Sequence, residues 1–160
     1  MYLLEPEVAG GLGSNTVVTN WKELKSGKQQ IHKIEYLEYV FDDWLGDDLL
    51  TSFPAFIATQ KLATDMTEHQ LTGLDIGEVQ ITKSPLFEEI DPSFELPRFV
   101  WLQPTGIVIL SQDRKVQKWS GKDLSLSQLG DLIVTENCMT ILNKYRIEHC
   151  EIEIVEFVSH

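Results

Sequence analysis

Apolar residues along this chain follow two spacings, and the two occur in the same order twice. Ala55–Ala58 is a short uninterrupted apolar run, which reads as a buried strand. Thr59 follows as a helix N-cap, and Leu62, Ala63, Met66 and Gln70-Leu71 follow the helical spacing that puts one apolar stripe inward. Thr72-Gly73 is expected to end that helix, and Leu74–Thr82 to return as one strand. Downstream, Leu132-Ile133-Val134 reads as a strand, Thr135 as a cap, and Cys138, Met139, Ile141 and Leu142 as the helix face turned to the core. Glu136 suits the positive end of that helix. Cys150–Val158 then alternates Ile152 and Ile154 with Glu151 and Glu153 as a terminal strand. The offset is ungapped: Thr59 to Thr135 is 135 − 59 = 76, and Ile76 to Ile152 is 152 − 76 = 76. Segments 55–79 and 131–155 therefore read as two repeated strand-helix-strand units.

Elsewhere the pattern is less regular. Residues 1–4 read as a short strand, and the glycines between Val8 and Asn15 as a flexible loop. Residues 21–30 are a polar connection. Ile31 to Phe41 has strand composition, with a change of facing between Tyr36 and Leu37. Ser84-Pro85 starts a short helix through Glu89, which Asp91-Pro92 ends. Arg98–Gln103 reads as a strand, and Ile107–Leu110 with Val116–Trp119 as a hairpin. The expected fold is a single α+β domain over residues 1–160, a mixed sheet flanked by helices.

Composition narrows the function more than the fold. The 160 residues, 42% hydrophobic and 24% charged, suit one core that buries roughly 70% of the unfolded surface. No apolar run approaches a membrane span, and the N-terminus lacks the basic and apolar regions of a secretory signal. Two cysteines, Cys138 and Cys150, make no disulfide framework and read as buried free thiols in a reducing, cytoplasmic setting. The net charge of −12 repels nucleic acid and anionic membranes and favours basic protein partners.

Catalytic patterns are absent. Gly10-Gly11-Leu12-Gly13-Ser14 lacks the Lys-Ser or Lys-Thr of a phosphate loop, and no Gly-x-Ser-x-Gly elbow exists. His149-Cys150-Glu151 lacks the downstream Pro-Cys-x-x-Cys of a zinc deaminase, so His149 reads as a turn residue. No metal or cofactor is expected. One segment combines negative charge with an aromatic side chain: Asp42, Asp43, Trp44, Asp47 and Asp48, with Gly46 giving the turn its freedom. Acidic residues speed capture of a basic partner and a Trp supplies affinity, so these five are the candidate partner-binding residues.

Phe41-Asp42-Asp43-Trp44-Leu45-Gly46-Asp47-Asp48, Phe53-Pro54-x-Phe56-Ile57-x-Thr59, Leu71-Thr72-Gly73 and Leu132-Ile133-Val134-Thr135-Glu136 resemble small bacterial proteins related to immunity proteins of polymorphic toxin systems. The resemblance covers residues 40–82 and 130–156 and implies a cytoplasmic inhibitor that binds a toxin and carries no catalytic residues. Two other readings stay open: a small-ligand-binding protein or enzyme whose site is invisible in one sequence, and an oligomer pairing through an edge strand.

Overall fold

The first strand, β1 (Tyr2–Glu5), pairs with strands at the far end of the chain. It lies antiparallel between β14 (Leu132–Val134) and β15 (Glu151–Ile154), with Leu4 opposite Leu132 on one side and Ile152 on the other. In a second sheet β10 (Phe99–Pro104) lies antiparallel between β7 (Ala55–Thr59) and β8 (Leu74–Gly77), with Leu102 opposite Phe56 and Ile76. The partners of Leu4 and Leu102 differ by the offset seen in the sequence: 132 − 56 = 76 and 152 − 76 = 76.

The computed structural model describes residues 1–19 and 33–159, and in them the chain is a strand-rich mixed α/β protein. One sheet has the order β12 (Val116–Trp119), β11 (Gly106–Leu110), β13 (Leu124–Ser127), β14, β1, β15. It is curled, and past β15 Phe157 bridges back to Val116 of β12. The second has the order β6 (Leu49–Ser52), β7, β10, β8. A three-stranded sheet joins β2 (Gly10–Leu12), β5 (Glu38–Phe41) and β9 (Gln80–Lys83), and β3 (Val17–Thr19) pairs with β4 (Lys33–Tyr36). Helix α1 (Gln60–Glu68) connects β7 to β8, α2 (Pro85–Ile90) precedes β10, and α3 (Glu136–Leu142) connects β14 to β15.

Helices α1 and α3 bury Leu62, Ala63 and Met66, and Cys138, Met139, Ile141 and Leu142. Most of these meet Leu4, Phe56, Leu102, Leu132 and Val134 in one apolar cluster. Tyr39, Phe41, Leu50, Ile57, Phe87 and Phe99 form a second, and Leu3, Val108, Val116, Ile133 and Val155 a third inside the curl. The outer strands carry the segments that the alternation pattern misjudged. Ile152 and Ile154, which alternate with Glu151 and Glu153 in the sequence, are both exposed, Ile154 by 72%, on the edge strand β15.

Four further expectations are corrected. The glycine loop after Val8 contains strand β2, because a Cβ on Gly10 would lie 1.8 Å from the Val40 carbonyl oxygen; glycine is there to permit close pairing. Leu74–Thr82 is two strands in two sheets, since β8 pairs with β10 and β9 runs parallel to β5. Helix α1 stops at Glu68: Gln70, at φ +56°, donates to the Thr67 carbonyl, and Leu71 donates to the Met66 carbonyl. That is the helix-ending pattern usually built on glycine. Thr59 occupies the N-cap position without capping, its hydroxyl donating instead to Asp48, whereas Thr135 does accept from the Cys138 N–H. The polar connection at residues 21–30, with Ile31 and His32 of the next predicted strand, lies outside the described residues. The helix capped by Ser84, the strand around Trp101 and the β11–β12 hairpin form as the sequence predicts.

Candidate functional site

The loop from Asp42 to Asp48 joins β5 to β6 and is held by its own polar groups. The Asp42 and Asp43 N–H groups donate to the Ala9 carbonyl, and an Asp43 carboxylate oxygen accepts from the Trp44 N–H at 2.7 Å. The Trp44 indole N–H donates to the Asp47 carbonyl at 2.9 Å, across a Gly46 at φ +104° that few other residues would tolerate. The loop therefore presents two different faces.

On one face Asp42 and Asp43 are exposed and Trp44 is half-buried. Its ring meets Phe94 edge-on, centroids 6.0 Å apart, and Phe99 at 5.8 Å. Phe87, buried on α2, lies 6.2 Å from Phe94, which is 37% exposed. Ser84 accepts from the Phe87 N–H and so caps the start of α2. Trp44, Phe87, Phe94 and Ile90 enclose a cavity of about 140 Å³, and Asp42, Asp43 and Asp91 line it too. The chain's own Lys83 already places its ammonium 5.3 Å from the Phe87 ring centroid and donates to the Phe94 carbonyl. Aromatic faces under a rim of carboxylates attract cations.

The other face is buried. Asp47 is 0% exposed, and its carboxylate accepts from the backbone N–H of His149 at 2.7 Å and of Glu148 at 3.1 Å. Nδ1 of His149 lies 3.2 Å from Asp47 Oδ1 and 4.0 Å from Oε1 of Glu7, itself only 6% exposed. Glu7 in turn accepts from the N–H of Leu45 at 2.9 Å and of Asp47 at 3.4 Å. A cavity of about 540 Å³ opens beside Glu7 and His149, walled by Leu4, Val8, Phe53 and Phe56 among others.

The five predicted residues thus separate. Asp42, Asp43 and Trp44 share the aromatic cavity, while the carboxylates of Asp47 and Asp48 accept from donors of this chain. Asp48 ties the two helical connections together: Oδ1 accepts from Thr59 at 2.9 Å and Oδ2 from the Arg146 N–H, beyond α3, at 2.8 Å. Asp123 does the same in the opposite sense. Its Oδ1 accepts from Thr135 at 2.7 Å and its Oδ2 from the Thr72 N–H, beyond α1, at 2.9 Å. Burial alone would raise the Asp123 pKa, but hydrogen bonds from Thr72, Thr135 and Asn137 hold it below the ordinary value. His149 does sit in a turn, as its sequence setting implied, but with two buried carboxylates around its ring. Phe87, Asp91 and Phe94 were missed because nothing in their local pattern marks a surface cavity; the helix stop at Asp91-Pro92 was the nearest signal. Glu7 carried none.

No helix among the described residues is long and apolar enough to cross a membrane. Comparison with known proteins finds no matching family model, no similar curated protein and no similar solved structure.

Proposed function

We propose that this protein acts by binding, capturing a basic protein partner by inserting one of the partner's Lys or Arg side chains between Trp44, Phe87 and Phe94. The observation that carries this reading is the aromatic cavity rimmed by Asp42, Asp43 and Asp91. Three exposed carboxylates raise the encounter rate with a cation, and aromatic faces retain it once desolvated. The chain's −12 charge extends the same attraction beyond the cavity. Neutralising a toxin in the bacterial cytoplasm, in the manner of the immunity proteins it resembles, fits such a surface. In the same reading the chain is one duplicated domain, supported by the shared 76-residue offset and by the matching roles of Asp48 and Asp123.

The test is a heteronuclear NMR titration with a short Arg-containing peptide and its citrulline analogue, followed by binding kinetics against the product of a neighbouring toxin gene. The arginine peptide should shift the Trp44 indole signal saturably, and the neutral analogue should not. Reversing charge at Asp42 and Asp43 should slow association with the toxin and leave thermal stability unchanged. Equal shifts with both peptides, or unchanged kinetics, would remove this cavity from the interface.

A further inference from the structure

We infer that Glu7, Asp47 and His149 bind a divalent first-row metal ion of the zinc type. One imidazole nitrogen and two carboxylate oxygens lie within 4.8 Å of one another. An ion that bonds each at about 2.0–2.2 Å draws its ligand atoms to roughly 3–4 Å apart, so the 3.2 and 4.0 Å separations from His149 Nδ1 need little adjustment. Burial supplies an independent reason. Asp47 and Glu7 are 0% and 6% exposed, and among the described residues His149 is the one basic group within 4 Å of either carboxylate. Two buried negative charges beside one imidazole are costly, and a dication makes the set neutral.

The surroundings have the form of a supported ligand set. Four backbone N–H groups, of Leu45, Asp47, Glu148 and His149, already orient the two carboxylates. A cation seated between His149 Nδ1 and the two carboxylates leaves all four in place. The His149 side chain is 38% exposed beside the cavity of about 540 Å³, so an ion can enter from solvent and complete its coordination with water. Nitrogen plus carboxylate ligation with open positions suits Zn²⁺ better than Ca²⁺, which takes oxygen ligands alone. This inference does not depend on the cation-capturing cavity, which lies on the loop's other face.

Calorimetric titration of the EDTA-treated full chain with ZnCl₂ tests it, with Co²⁺ absorption to report the ligands. One saturable site is expected, weakened at least tenfold in His149→Ala and in Glu7→Gln, and unchanged in His69→Ala. Co²⁺ should give ligand-field bands without a thiolate charge-transfer band. Absence of a saturable site, or an affinity indifferent to His149→Ala, overturns the proposal. A thiolate band would move the site to the nearby Cys150 and overturn this ligand set. Should either variant misfold, the cobalt spectrum of the unaltered chain still decides.

Discussion

Replacing Asp123 with Ala should lower stability by about 2 kcal/mol without changing the fold. Besides its contact with Asn137, the side chain accepts from the Thr72 N–H at 2.9 Å, the Thr72 hydroxyl at 3.0 Å and the Thr135 hydroxyl at 2.7 Å. Hydrogen bonds to a charged group contribute roughly 1.5–3 kcal/mol each when buried. Asp123 is half-buried and Thr72 exposed, so water replaces most of each bond and the set contributes about 2 kcal/mol in total, well below the sum for buried bonds. Thr135 keeps its contact with the Cys138 N–H, which further limits the loss. Urea denaturation at neutral pH should show a lower midpoint with an unchanged slope, since the surface exposed on unfolding stays the same. The pH dependence has a definite sign. The folded-state pKa of Asp123 is lowered from its ordinary 3.8, so its contribution is complete above that value and is lost as pH falls through the folded pKa. The gap between the two proteins should therefore be constant from pH 7 to about pH 5 and narrow in more acidic solution. A loss below about 0.5 kcal/mol at neutral pH would mean that the loop after α1 is held by its apolar contacts alone, and the reasoning would fail.

Gln70→Gly should stabilise by about 0.5–1 kcal/mol, because Gln70 is exposed and sits at φ +56° where glycine carries no Cβ penalty; a lower thermal midpoint would contradict this. Gly10→Ala should cost more than about 2 kcal/mol, since the added carbon falls 1.8 Å from the Val40 carbonyl oxygen and the β2–β5 pairing must part; near-native urea stability would refute it. Cys138 and Cys150 are unlinked, and burial pushes both thiols up to about 12, with Asp123 and Asp47 respectively adding to the effect. Cys138 is buried as expected but Cys150 is only half-buried, so Cys138 should resist a thiol reagent at pH 8 in the native state, Cys150 should react slowly, and both should react fully in denaturant; fast native labelling of Cys138 would refute this.

Local chemistry made several elements legible. The Ser84-Pro85 start of α2, the break between Tyr36 and Leu37 and the apolar stripes of α1 and α3 rest on interactions within a few residues, which a sequence displays directly. The 76-residue offset was equally visible in the sequence, and it recurs in the register partners of Leu4 and Leu102. What the sequence concealed depends on distant segments meeting. Ile152 and Ile154 alternate with glutamates as core residues do, yet in the folded chain every residue of β15 is exposed. Asp47 and Asp48 have the same local appearance as Asp42 and Asp43, yet the turn at Gly46 directs one pair outward and the other against backbone N–H groups about a hundred residues away. A carboxylate's role is set by whether water or protein surrounds it, and tertiary packing alone decides that. The same holds for Glu7 and His149, which the β1 crossing and the turn after α3 bring within 4.0 Å from opposite ends of the chain.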